Sequence, residues 1–147
     1  MTKIPMPLRW ADFDANFHLR HSVYYDFAAT ARLEFMGNGG LSYESMKEHG
    51  FGPILFREEC LFKREVRPGD QIFINLLVTK LRRDSSRFSF RHEITKEDGT
   101  LCAILNIDGA WMDTRLRKLT VPPAFVVAMF QHLPKAEDFQ WEETKLT

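Results

Sequence analysis

No surplus of either charge marks this 147-residue chain: 20 Lys and Arg stand against 20 Asp and Glu. Proteins that grip nucleic acid usually displace counterions with a basic excess, so no nucleic-acid partner is expected. Cysteine is scarce, with only Cys60 and Cys102. Their spacing makes neither a disulfide framework nor a Cys-x-x-Cys metal pair, and two buried thiols suit a reducing compartment. Long apolar runs are missing as well. Met1 to Trp10 carries Pro5 and Pro7 where a secretory leader would hold an apolar stretch. Nothing approaches the ~20 apolar residues of a membrane-spanning helix. The expectation from these absences is a soluble cytoplasmic protein without a membrane partner.

What the chain does have is core material. Hydrophobic residues make up 44%, with 13 Phe and 3 Trp. That supports one domain over residues 1–147, with a core from about 8 to 131 and a polar tail from 132 to 147. Tyr24, Phe27, Ala28, Ala31 and Phe35 repeat at the spacing of one buried helix face, with Asp26, Arg32 and Glu34 off that stripe. Gly37, Gly39 and Gly40 end this helix. A second, short helix runs from Ser42 to His49, capped by Ser42 and stopped by Gly50. Leu8 to Trp10 reads as a short extended segment, and Ile54 to Arg64 as strand-like. Arg67-Pro68-Gly69-Asp70 is a turn. Ile72, Ile74, Leu76 and Val78 alternate, as do Phe88, Phe90, His92 and Ile94. A turn at Glu97-Asp98-Gly99 leads to a last long strand, Leu101 to Met112. Prolines 122 and 123 open a short helix from Ala124 to Phe130, and Phe139 and Trp141 dock the tail. The order predicts an α+β fold, an antiparallel sheet packed on one main helix.

The segment Arg9-Trp10-Ala11-Asp12-Phe13-Asp14-Ala15-Asn16-Phe17-His18-Leu19-Arg20-His21 resembles the opening motif of the 4-hydroxybenzoyl-CoA thioesterase family, R-W-x-D-x-D-x-x-G-H-V-N-N. Ala31-Arg32 matches the end of the helix that follows. Arg67-Pro68-Gly69-Asp70 is similar to the family's P-x-x-x-G-D turn. The resemblance spans about Arg9 to Trp111. It implies a hot-dog fold, five or six antiparallel strands wrapped around one long central helix. It also implies hydrolysis of an acyl-CoA thioester by a homodimer or homotetramer, with active sites between subunits and neither metal nor cofactor. The second Asp of D-x-D is catalytic in that family, which is Asp14 here. The backbone amide at the helix start that polarises the thioester carbonyl falls at His21. The chain departs from the motif at Phe17, where the family has glycine, and at Arg20 and His21, where it has asparagines.

Thioester hydrolysis fits these residues. A carboxylate with an ordinary pKa near ~3.9 is ionised at neutral pH and can attack the carbonyl carbon or take a proton from water. The oxygen charge that develops suits the free amides of a helix start. Phe17 and Tyr24 are candidates for touching the acyl group. Arg82 and Arg83, before the Asp84-Ser85-Ser86 turn, are candidates for the CoA phosphates by resemblance, and Arg binds phosphate bidentately; Lys80 and Arg87 stand behind them. Asp12 is expected to pair with an amide or an Arg, and His18 to fix the loop. Rival readings are a metal hydrolase using Asp12, Asp14, His18 and His21, a hot-dog dehydratase, and an acyl-CoA binder without catalysis.

Overall fold

A computed structural model describes residues 2–143. Three α-helices and eight strands follow in the order β1 (Ile4–Met6), α1 (His21–Gly37), α2 (Tyr43–His49), β2 (Phe51–Phe62), β3 (Ile72–Ile74), β4 (Leu77–Arg82), β5 (Arg87–Lys96), β6 (Leu101–Asp113), β7 (Lys118–Leu119), α3 (Ala124–His132) and β8 (Lys135–Glu142). All eight strands form one sheet. Its backbone is β2–β6–β5, with β5 pairing both β3 and β4 and β1 pairing β3, all antiparallel. The fold class is the α+β expected. The sheet is larger than five or six strands, and α1 is one of three helices.

Strand β5 carries the clearest sequence logic. In β5, Phe88, Phe90, His92 and Ile94 are buried while their neighbours are half-exposed, as period-two alternation requires. The row beginning at Ile72 breaks instead. Asn75, Leu76, Leu77 and Val78 are all buried, and the chain switches from β3 to β4 there. The Asn75 side chain accompanies the break: it donates to Glu93 Oε1 (3.0 Å) and accepts from the Glu93 amide (2.7 Å), while the Asn75 amide still donates to the Glu93 carbonyl (3.3 Å).

Helix α1 buries Val23, Tyr24, Ala28, Ala31, Phe35 and Met36 in the core that holds Ile72, Ile74, Phe90, Ile94 and Leu105. Fully burying an aliphatic or aromatic side chain of this size contributes about 1.5–3 kcal/mol. Arg32, expected on the exposed side, is 8% exposed. Its guanidinium donates to His92 Nε2 at 3.3 Å and lies 3.5 Å from Glu58 on β2, so the buried cation ties α1 to two strands. Gly109 marks where β6 runs tightest: a Cβ there would lie 2.6 Å from the Phe88 ring and 2.8 Å from the Ile54 carbonyl oxygen.

Three other expectations change. The first strand lies at Ile4–Met6, upstream of Leu8, and Trp10–Asp12 forms a 3₁₀ turn. Leu101 to Asp113 is not the last strand. The segment read as a polar tail holds β8, which pairs in parallel with β4, with Leu81 opposite Trp141; residues 144–147 of that tail lie outside the described residues. Strand β2 is bonded only to β6, so among the described residues its other edge is unpaired. Leu55, Phe56, Leu61 and Phe62 on it are exposed. No helix among the described residues is long and apolar enough to cross a membrane.

Candidate active site

The stretch before α1 folds into a closed loop. Phe13 and Leu19 form an isolated antiparallel bridge. Inside it the Asp14 amide donates to the His18 carbonyl (2.9 Å) and the Phe17 amide to the Asp14 carbonyl (3.1 Å). Asp14 Oδ1 accepts from the amides of Asn16 (2.9 Å) and His18 (3.1 Å), the local bonding that short acidic side chains make in turns. These amides, His18 foremost, hold the Asp14 carboxyl below the usual carboxylate range. Oδ2 has no hydrogen-bond partner among the described residues, and the side chain is exposed. One oxygen is therefore fixed by the backbone while the other is open.

The two ends of the loop are anchored differently. Asp12 is fully buried, accepting from the Arg9 amide (2.8 Å) and guanidinium (2.8 Å). The guanidinium bond lowers its pKa, and no open oxygen is left for chemistry. At the other end Leu19 donates to the Val66 carbonyl (3.1 Å), and His18 Nε2 lies 2.5 Å from Glu65 Oε2. Glu65 also pairs with Arg67. The segment after β2 thus clamps the loop, and His18 is the loop-fixing residue anticipated.

Helix α1 begins at His21, with Arg20 in the cap position and no side-chain cap. Neither His21 nor Ser22 caps it, and among the described residues their amides have no acceptor. Such free N–H groups, with the helix dipole behind them, favour negative charge. This helix start, Asp14, His18 and Tyr24 line one open cavity of about 360 Å³ together with Phe62, Lys63, Arg64 and Glu65. The structure brings Asp14, His21 and Tyr24 together. The Tyr24 ring sits edge-on to Phe62 at 5.0 Å, and burial pushes its hydroxyl pKa up to about 12, so it stays a neutral phenol.

Phe17 also neighbours Asp14, on the wall of a second cleft. Arg82 and Arg83 line neither cavity. Strand β8 engages both: Arg82 Nε lies 3.6 Å from Glu142, and the Arg83 guanidinium is 4.3 Å from the centre of the Trp141 ring. Lys63 and Arg64 are the residues the sequence reading passed over. Both line the first cavity, and neither has an ion pair among the described residues. Their signal was a cation pair two residues before the Arg67-Pro68-Gly69-Asp70 turn. The four-residue metal set does not assemble, because Asp12 turns into the protein and His18 toward Glu65. No group of three metal-ligating side chains forms among the described residues.

Comparison with known proteins identifies a family and a fold. A family model described as the thioesterase-like superfamily matches residues 8–130. A putative esterase of Aquifex aeolicus is 28% identical over 91 residues, covering 62% of this chain and 70% of its own. Among solved structures, a hypothetical protein of Staphylococcus aureus in complex with CoA superposes with a TM-score of 0.83 at 19% identity, over 88% of this chain and 81% of that one. A 1,4-dihydroxy-2-naphthoyl-CoA thioesterase from Synechocystis gives 0.79 at 20% identity, over 89% and 96%. A gentisyl-coenzyme A thioesterase gives 0.76 at 19% identity, over 88% and 99%. At these identities the superpositions establish a shared fold.

Proposed function

The chain belongs to the thioesterase-like superfamily and is a thioester hydrolase, and from that premise we propose that it cleaves an acyl-CoA thioester at Asp14. The carrying observation is the shared cavity: an ionised carboxylate with one oxygen anchored and one open faces the uncapped start of α1. The thioester carbonyl carbon lies between them. Asp14 Oδ2 takes a proton from a water whose oxygen bonds to that carbon, or bonds to the carbon itself to form an anhydride that water then opens. The carbonyl oxygen becomes negative facing the His21 amide, a donor typically worth about 3 kcal/mol in the transition state. As the tetrahedral centre collapses the C–S bond breaks and CoA leaves as a thiolate, which takes up the proton held by Asp14 in the water route or one from the water that opens the anhydride in the other. The thiolate is a good leaving group and needs no strong acid beside it.

Lys63 and Arg64 are the proposed cations for the CoA phosphates, because they line the cavity and have no ion pair among the described residues, while Arg82 and Arg83 are engaged by β8. In this reading α1 is the central helix of the hot-dog arrangement. The molecule is a homo-oligomer that pairs through the open edge of β2, where exposed Leu55, Phe56, Leu61 and Phe62 await cover. The free thiols Cys60 and Cys102 fit the cytoplasm. The test is thiol release from a panel of acyl-CoAs. Asp14→Asn should lower turnover at least ~100-fold, the scale of a lost general base. A folded Asp14→Asn protein with wild-type turnover refutes the assignment.

A further inference from the structure

Resting on the thioesterase reading above, we propose that the acyl group lies in the second cleft beside Asp14, that the cleft takes uncharged apolar acyl groups, and that Phe17 is its specificity-determining residue. A thioester has two unlike halves joined at the carbonyl. The structure has two unlike cavities that share Asp14. The first carries Lys63 and Arg64, without an ion pair among the described residues, and suits the CoA half. The second, about 460 Å³, is walled by Leu8, Trp10, Phe13, Phe17 and Pro68, a volume in the range of small-ligand sites. Among the described residues its one cation, Arg9, is already paired with Asp12 at 2.8 Å, so its charge is balanced before a carboxylate at the far end of an acyl chain arrives.

Two features of this wall are costly without a ligand. Trp10 is 91% exposed and Phe17 64%. Neither ring contacts another ring among the described residues, whereas the core aromatics Phe88, Phe90, Trp111 and Phe130 pair with one another. Trp10 is thrown outward because its 3₁₀ turn is pinned by buried Asp12. Phe17 has φ of +62°, a left-handed conformation that glycine adopts freely and a side chain with a Cβ does not. Backbone strain of this kind persists where surrounding structure and function hold it. Here it places a phenyl ring on the cleft wall beside the proposed catalytic carboxylate.

The test compares hexanoyl-CoA with its ω-carboxylated counterpart, adipoyl-CoA. Wild type should favour hexanoyl-CoA in kcat/KM, and Phe17→Gly should reduce that preference about tenfold, mainly through KM, as apolar contact is lost. Phe17→Gly should not lower the melting temperature, since glycine relieves the left-handed backbone, so misfolding cannot produce the change. Phe17→Tyr should keep the preference. In the Asp14→Asn background, hexanoyl-CoA should alter the fluorescence of Trp10 and CoA alone should not, with Trp10→Phe removing the signal. An unaltered preference in Phe17→Gly, or an unaltered Trp10 signal with hexanoyl-CoA shown to be bound by calorimetry, overturns the proposal. Loss of thiol release in Asp14→Asn with either result leaves Asp14 as the proposed catalytic carboxylate, whereas full release in Asp14→Asn removes that assignment and leaves the outcome for the second cleft to be read separately.

Discussion

Lowering the pH from about 7.5 to about 5 should destabilise this protein by about 2 kcal/mol through one residue, His92. The imidazole is fully buried on β5. Nδ1 lies 2.7 Å from the Asn75 carbonyl oxygen, and Nε2 faces the Arg32 guanidinium at 3.3 Å. The carbonyl can only accept, so Nδ1 carries the hydrogen and Nε2 is the acceptor for Arg32. A second proton would put an N–H against the guanidinium and a charge in the core. Burial is the larger cause, Arg32 adds to it, and the pKa falls from 6.5 to about 4. The unfolded chain therefore binds this proton as pH drops below about 6.5, and the native state does not until about pH 4. Stability is full above the unfolded value and is lost as pH falls between the two. Asp12, Asp14, Asp70, Asp84, Asp98 and Asp113 all have depressed pKa values, so they remain ionised at pH 5 and add little to the slope there. Urea unfolding at fixed protein concentration reads the effect. With an m-value of about 2 kcal/mol per molar, the midpoint should fall by about 1 M. His92→Gln should show a lower midpoint at neutral pH and a much flatter pH dependence. A wild-type midpoint that does not move, or a His92→Gln protein with the full slope, would refute the reasoning.

Gly109→Ala should destabilise by about 1–3 kcal/mol in thermal or urea unfolding, because its Cβ meets both the Phe88 ring and a backbone oxygen. Replacing Lys63 and Arg64 by Ala should raise the Michaelis constant for acyl-CoA, and less so at high salt, where phosphate attraction is already screened. The Arg82→Ala, Arg83→Ala double change should instead speed hydrogen exchange in β8, since both side chains hold that strand; a large rise in the Michaelis constant from this pair would return them to the CoA site. The acid limb of kcat/KM set by Asp14 should lie below the ordinary carboxylate value, because two amides stabilise its ionised form. A limb near neutrality that survives in Asp14→Asn would point to another group.

The elements governed by local periodicity were readable in the sequence. Helix α1, the capped α2 with Gly50 at φ +69°, the β5 alternation and the Pro-led α3 all follow from spacing and terminal residues. What escaped depends on contacts far apart in the chain. Arg32 looks like a surface residue until His92 and Glu58 are brought beside it. Asn75 looks like part of a strand until its side chain is found bonded to Glu93. Lys135 to Glu142 reads as a polar tail docked by Phe139 and Trp141, and not as a strand, because its partner, β4, is more than fifty residues earlier. The same split holds for the site. Asp14, His21 and Tyr24 lie within one short stretch and were legible together, whereas Lys63, Arg64 and Glu65 reach the cavity only by long-range folding. The arginine pair at the β4–β5 turn was a phosphate candidate by resemblance, and its neighbours Glu142 and Trp141 come from a strand far along the chain.

The parallel pairing of β8 with β4 bears on how the chain assembles and fails. Hairpins such as β5–β6 join neighbours and can zip early, but β8 has no template until β4 is already laid against β5, so its docking belongs late in folding. By the same token it should be among the first pieces to peel away under stress. Once it lifts, the bare flank of β4 becomes a landing strip for strands of other molecules, which makes the grip of Arg82 and Arg83 on this strand a safeguard against clumping.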